Sequence, residues 1–145
     1  MDRGLDSDRG AMSASNGQPA PEQYRSAAAL RAGLRQFSQA SERALQQHGL
    51  TPERYELLLA IKSTDHDAEG ATVSELADVL GVAQSSVTQL VRRVEDAGLL
   101  RREVSPNDAR VRYLRLTKQG ERQLAKAVAA LHQERERLAT IVSQL

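Results

Sequence analysis

The sequence predicts a mainly α-helical fold that carries one small β-hairpin. Three observations lead there. Apolar residues recur at helical spacing through most of the chain. Between Thr72 and Gly98 two such segments are separated only by a short turn at Gly81. After Gly98 the period changes from 3.6 to 2, across Leu99–Val104 and again across Arg112–Leu116.

Composition sets the bounds. With 145 residues the chain can bury one real core. Aromatics make up 3% and there is no Trp, so that core must rest on Leu, Val, Ile and Ala. There is no cysteine, which excludes disulfides, thiolate metal sites and thiol redox chemistry. No apolar run reaches membrane-spanning length and no secretory signal pattern is visible, so no membrane partner and a cytoplasmic location are expected. The net charge of +1 hides an asymmetry. Residues 50–83 hold two basic and seven acidic side chains, whereas 84–118 hold eight basic and four acidic ones. The positive excess is local, on the second short helix and the hairpin segment after it.

Residues 1–21 are rich in Gly, Ser, Asp and Pro without periodicity and read as a disordered extension. The Gly-Ala-Met-Ser run at 10–13 has the form of an expression scar with Met12 as the natural start, so residues 1–11 stand outside the fold reasoning. A long helix is expected from about Glu22 to His48. Its stripe of Leu30, Leu34, Phe37, Ser41, Ala44 and His48 alternates spacings of four and three. Gly49 ends it, and Thr51 with Pro52 opens the next helix as N-cap and first-turn proline. Tyr55, Leu58, Leu59 and Ile61 are the expected core face there. The loop Thr64–Ala71 begins like a calcium loop at Asp65, but the twelfth position, where a bidentate Glu is needed, is Leu76. A solvated acidic loop is the better account.

Thr72-Val73-Ser74-Glu75 has the pattern of a capping box, with hydroxyl and carboxylate each taking a backbone N–H. Leu76, Ala77 and Leu80 give that helix its apolar face, and Gly81 offers a left-handed stop. In the next helix, Val87, Leu90, Val91 and Val94 face inward. Its other face carries Ser85, Ser86, Thr88, Gln89, Arg92 and Arg93, polar or cationic with no acid among them. A helix with a packed back and such a front is suited to base edges and phosphates in a major groove. An ordinary helical hairpin is the plain alternative.

The two strands enclose Ser105–Arg110, which is turn chemistry. Leu114 and Leu116 face one side of the second strand, Tyr113 and Arg115 the other. A hairpin directly after such a helix is a wing. Arg110 falls near its tip, where a long cation can enter a minor groove, and Arg112 is placed for phosphates. Asp108 is expected to orient Arg110 or a neighbouring helix arginine. Thr117 caps a final helix toward Leu145, with a stripe of Leu124, Val128, Leu131, Arg135, Leu138, Val142 and Leu145. About 28 residues of helix run roughly 40 Å, beyond the reach of a small domain. Two long stripes at the two ends of the chain therefore suggest a dimerisation layer.

These residues resemble the MarR family of transcriptional regulators, from about Tyr24 to Leu138. The likeness rests on GLTPERYELLLAI, on TVSELADVLGVAQSSVTQLVRRVEDAGLLRR and most specifically on SPNDARVRYLRLTKQG, with Asp108-x-Arg110, Leu116-Thr117 and Gly120. The resemblance implies a winged helix-turn-helix homodimer on a pseudo-palindromic double-stranded DNA operator, commonly a repressor released by a small anionic or phenolic effector. It would place Gln84–Gln89, Arg92 and Arg93 in the major groove and Arg110 in the minor groove. The expected organisation is an extension over 1–21 and one MarR-like domain over 22–145. That domain divides into an N-terminal dimerisation helix (22–50), the winged helix-turn-helix (51–116) and a C-terminal dimerisation helix (117–145). The further C-terminal helix usual in the family is not expected here. Lack of Cys and Trp sets the chain apart from the family's thiol sensors and its urate-responsive branch. His48, His66 and His132 show no ligand spacing, so neither metal nor cofactor is expected. A winged-helix protein-interaction module without DNA binding is the alternative function. An enzyme is not expected, since no nucleophile–base pair or phosphate cradle is present.

Overall fold

The computed structural model describes residues 17–65 and 69–145. Most of the extension, the Gly10–Ser13 run, His66 and Asp67 lie outside the described residues. Six helices and one antiparallel hairpin are arranged in order: α1 (Pro21–Gln47), α2 (Pro52–Ser63), α3 (Val73–Leu80), α4 (Gln84–Asp96), β1 (Leu100–Val104), β2 (Arg112–Leu116), α5 (Lys118–Ala130) and α6 (His132–Ser143). The mainly α architecture with a hairpin wing is the one the sequence predicts.

Local chemistry explains most boundaries. The Thr51 hydroxyl accepts from the Arg54 N–H at 3.2 Å and Pro52 occupies the first turn, where its missing donor costs nothing. Gly81 (φ +67°) and Gly98 (φ +78°) take left-handed backbone and so stop α3 and the turn after α4. The capping box at α3 forms only by half. Thr72 Oγ1 accepts from the Glu75 N–H at 3.2 Å, but the Glu75 carboxylate accepts from that same hydroxyl, not from the Thr72 backbone.

The core is a continuous apolar cluster in which Leu57, Leu58, Ile61, Leu76, Val87, Val91, Val94 and Leu114 are almost wholly buried. In α2 the core face is Leu57, Leu58, Ala60 and Ile61, with Tyr55 partly buried; Leu59, expected inside, is 39% exposed. Three consecutive leucines leave the helix phase ambiguous, and packing on α3 and α4 resolves it. The hairpin pairs Leu100 with Leu116, Arg102 with Leu114 and Val104 with Arg112. The loop before α3 also joins it, the Leu114 N–H donating to the Ala71 carbonyl at 2.8 Å.

The final helix is not one helix. It bends at Leu131 (φ −93°, ψ 4°), and α6 lies against α1, where Leu138 and Ile141 pack over Gly33. No proline or glycine stands at the bend; what changes there is the packing partner, with Leu131 itself buried. The two stripes thus satisfy part of each other within the chain. Tyr24, Leu34, Val142 and Leu145 remain between 39% and 60% exposed.

Thr117 joins the wing to α5. Its Oγ1 accepts from the Gly120 N–H at 3.1 Å and donates to the Gly98 carbonyl at 2.6 Å. Gly120 lies directly on the backbone of Leu99, so that a Cβ there would meet the Leu99 oxygen at 2.0 Å. Gly120→Ala, stabilising in an ordinary helix, is expected here to lower the unfolding free energy by about 3 kcal/mol. Denaturant unfolding checks this; an unchanged or raised stability would mean that the close approach is not obligatory.

Candidate nucleic-acid interface

The helix α4 is amphipathic with a fixed back. Val87, Val91 and Val94 are buried, and Leu90 is packed against the same cluster. At about 100° per residue the side opposite them is Ser85, Gln89, Arg92 and Asp96, all exposed. Asp96 is an acid that reading the front from residue types alone missed. It sits at the end away from the helix N-terminus.

The other polar residues of α4 lie on its flanks. Gln84 Nε2 donates to Ser74 Oγ at 3.3 Å, tying α4 to the start of α3. The Thr88 hydroxyl donates to the Gln84 carbonyl at 2.9 Å and is turned into its own helix. Ser86, Arg93 and the edge of Gln89 line a groove of about 410 Å³ whose other wall is the start of α2, with Thr51, Glu53, Arg54 and Glu56. Neither Ser85 nor Ser86 caps α4, a role open to serines at a helix start. The N-cap is Ala83, which has no side-chain acceptor, so the first-turn N–H groups lack a side-chain cap. Such a helix start suits an anion.

The wing is shaped by two short-range motifs. The buried Ser105 hydroxyl accepts from the N–H groups of Asn107 (3.2 Å) and Asp108 (3.3 Å) and folds the turn. Asp108 Oδ1 accepts from the Arg110 backbone N–H at 3.0 Å and from Arg110 Nε at 3.3 Å. Of the two partners expected for Asp108, the structure gives Arg110. With the Arg110 side chain 91% exposed, this pair adds little stability. Its effect is directional, holding the guanidinium at the tip. Arg112 donates through Nη1 to the Ala109 carbonyl at 2.7 Å, so it braces the turn.

The hairpin is held to the body by charge. Arg101 and Arg115 stand opposite each other in the ladder, an arrangement that alone would be repulsive. Glu103 resolves it, since its Oε2 lies 2.8 Å from Arg101 Nη1 and 2.9 Å from Arg115 Nε. Arg115 also pairs with Asp65 beyond α2. On the other side, Arg102 Nε lies 3.2 Å from Glu95 Oε2, linking β1 to the last turn of α4. The hydrogen bond from Arg101, joined by the field of Arg115 and opposed by partial burial, holds the Glu103 carboxyl below the ordinary carboxylate range. None of these long-range partners was legible from spacing.

Comparison with known proteins points the same way. Residues 48–111 match the MarR family model. The transcriptional regulator PetP of Rhodobacter capsulatus is 41% identical over 61 residues, 40% of this chain and 37% of that protein. Among solved structures, the transcriptional regulator MOSR of M. tuberculosis in complex with DNA is 30% identical with a TM-score of 0.59, covering 85% of this chain and 82% of that one. CouR of Rhodococcus jostii RHA1, bound to p-coumaroyl-CoA, is 27% identical with a TM-score of 0.64, covering 75% and 78%. The chain belongs to the MarR family. The relatives it matches are transcriptional regulators. The chain spans only between 37% and 56% of the length of the curated regulators it matches. Among the described residues, no helix is long and apolar enough to cross a membrane.

The wing network makes one pH prediction for this MarR-family chain. A carboxyl depressed by folding adds stability that is present above its ordinary value of 4.5 and lost as pH falls through the lowered one. Glu103→Gln is therefore expected to be less stable than the parent at neutral pH, with the gap closing in acid. Thermal unfolding of both proteins across pH checks this, and a gap independent of pH would contradict it.

Proposed function

We propose that this chain is a sequence-specific regulator that binds double-stranded DNA, with α4 in the major groove and Arg110 in the adjacent minor groove. One observation carries the reading. The outward side of α4 holds Ser85, Gln89 and Arg92, with Asp96 only at its far end, and none has an intramolecular partner among the described residues; beside it stands a wing whose tip arginine is held outward by Asp108. A helix surface left polar, cationic and unpaired fits a polyanion better than it fits a protein-interaction module. The similarity to MOSR, solved in complex with DNA, supports it.

The chain acts, on this reading, as a cytoplasmic homodimer that presents two α4 helices about one DNA turn apart to a pseudo-palindromic operator, as a repressor. The exposed apolar residues left on α1 and α6 support a second copy there. Arg93 and the open first turn of α4 meet phosphates, which makes the affinity fall with salt.

An effector site fits between α1, α2 and the bend of the C-terminal helices. A cavity of about 370 Å³ is lined by Phe37, Leu45, Tyr55, Leu59 and Leu131, with Arg135, Glu42 and Glu56 as its charged groups. Ser41 Oγ is buried in that wall without a hydrogen-bond partner, which suits a ligand that brings a polar group. An aromatic or phenolic ligand matches this lining, and the complex of CouR with p-coumaroyl-CoA supports an aromatic group there.

The decisive experiment for the two-groove reading is a gel shift with Arg110→Ala on a duplex selected by the parent protein. The expected loss is about ten- to hundredfold. Unchanged affinity would remove the wing from the mechanism, and a parent chain with no salt-dependent affinity even for random duplex would favour the protein-interaction alternative.

A further inference from the structure

The polar residues of α4 do not all face the same surroundings, and this divides their work. Gln84 and Thr88 are engaged, one by Ser74 Oγ at 3.3 Å, the other by the Gln84 carbonyl at 2.9 Å. Ser86 and Arg93 stand on the flank that faces the start of α2 across a groove with Thr51, Glu53, Arg54 and Glu56, and Gln89 reaches the edge of that groove from the outer side. Ser85, Gln89, Arg92 and, at the far end, Asp96 lie opposite the buried Val87, Val91 and Val94 and have no partner among the described residues. With a rise of 1.5 Å per residue, the strip from Ser85 to Arg92 is roughly 10 Å long, about three base-pair steps. Asp96 closes the strip, because a carboxylate there would be repelled by phosphates on either side of the groove.

The chemistry of the three is unequal. A carboxamide offers one donor and one acceptor, which matches the N7 acceptor and N6 donor of adenine. A guanidinium offers two parallel donors, which match O6 and N7 of guanine. A hydroxyl accepts or donates and distinguishes little. Gln89 and Arg92 are three residues apart, roughly 4.5 Å along the helix, between one and two base-pair steps.

Resting on the DNA-binding reading, we propose that the half-site contains an adenine read by Gln89 and, one or two base pairs further along, a guanine read by Arg92, while Ser86 and Arg93 hold the sugar-phosphate backbone. This moves Arg92 from the phosphate role that its charge suggests to a base-reading one. It leaves Ser86, a residue of the same polar face, to the backbone. The helix phase, which residue types alone do not give, decides both.

The test is selection from a random duplex pool by the full chain and by Gln89→Ala, Arg92→Ala and Arg93→Ala. All three side chains are exposed and unpartnered among the described residues, and circular dichroism of each variant verifies that it is folded. The selected half-site should hold the A·T and G·C pairs at that spacing. Gln89→Ala should lose the preference at the A·T pair alone and Arg92→Ala at the G·C pair alone. Each should cost about ten- to hundredfold on the selected site and little on random duplex. Arg93→Ala should weaken every sequence alike and leave the preferences intact. A selected site without the pair, or an Arg92→Ala variant that binds all sequences more weakly with unaltered preferences, overturns the proposal and leaves DNA binding standing. A parent chain that retrieves no duplex overturns the DNA-binding reading itself, and this proposal with it.

Discussion

Three valines set the rotation of α4 about its own axis. Val87, Val91 and Val94 are at most 1% exposed, seated in the cluster formed with Leu57, Leu58, Ile61 and Leu76. Full burial of such side chains stabilises by about 1.5–3 kcal/mol each. Turning the helix by one residue would expose part of that set and push Gln84 or Thr88 into an apolar wall, at a cost on the order of 5 kcal/mol. The outward strip is therefore a consequence of core packing. Ser85, Gln89 and Arg92 face solvent because the valines cannot.

The wing depends on the same core through a second set of contacts. Leu114 and Leu116 anchor β2, and Glu95–Arg102 ties β1 to the end of α4. The Glu103 carboxylate between Arg101 and Arg115 turns a repulsive cross-strand pair into a clamp, extended to Asp65 beyond α2. Tip and helix are thus held in one frame. Arg110 can be nine-tenths exposed and still point in a defined direction, because Asp108 fixes it and Ser105 fixes Asp108.

What the sequence made legible was chemistry that acts over a few residues. The Thr51-Pro52 start, the glycine stops at Gly81 and Gly98, the alternation in Arg112–Leu116 and the Asp108–Arg110 pair all lie within one turn of their partners. What it hid depends on partners far along the chain. Leu57 and Leu59 could not be ranked inside a run of three leucines. The bend at Leu131 carries no proline or glycine and arises from α6 meeting α1 at Gly33. Asp96 entered the candidate surface only when the helix phase was known. The unpartnered Ser41 hydroxyl appeared as part of a cavity only when α1, α2 and Leu131 were seen together.

On the proposed reading one continuous face, the outer strip of α4 and the tip of the wing, meets duplex DNA. Amide NMR of the labelled chain titrated with a selected duplex tests it most directly. The largest shifts are expected at Ser85–Arg93 and at Ser105–Arg112, with the outer side of α5, from Lys118 to Ala129, unaffected. Shifts centred on α5, or an unperturbed α4 under saturating duplex, would contradict it.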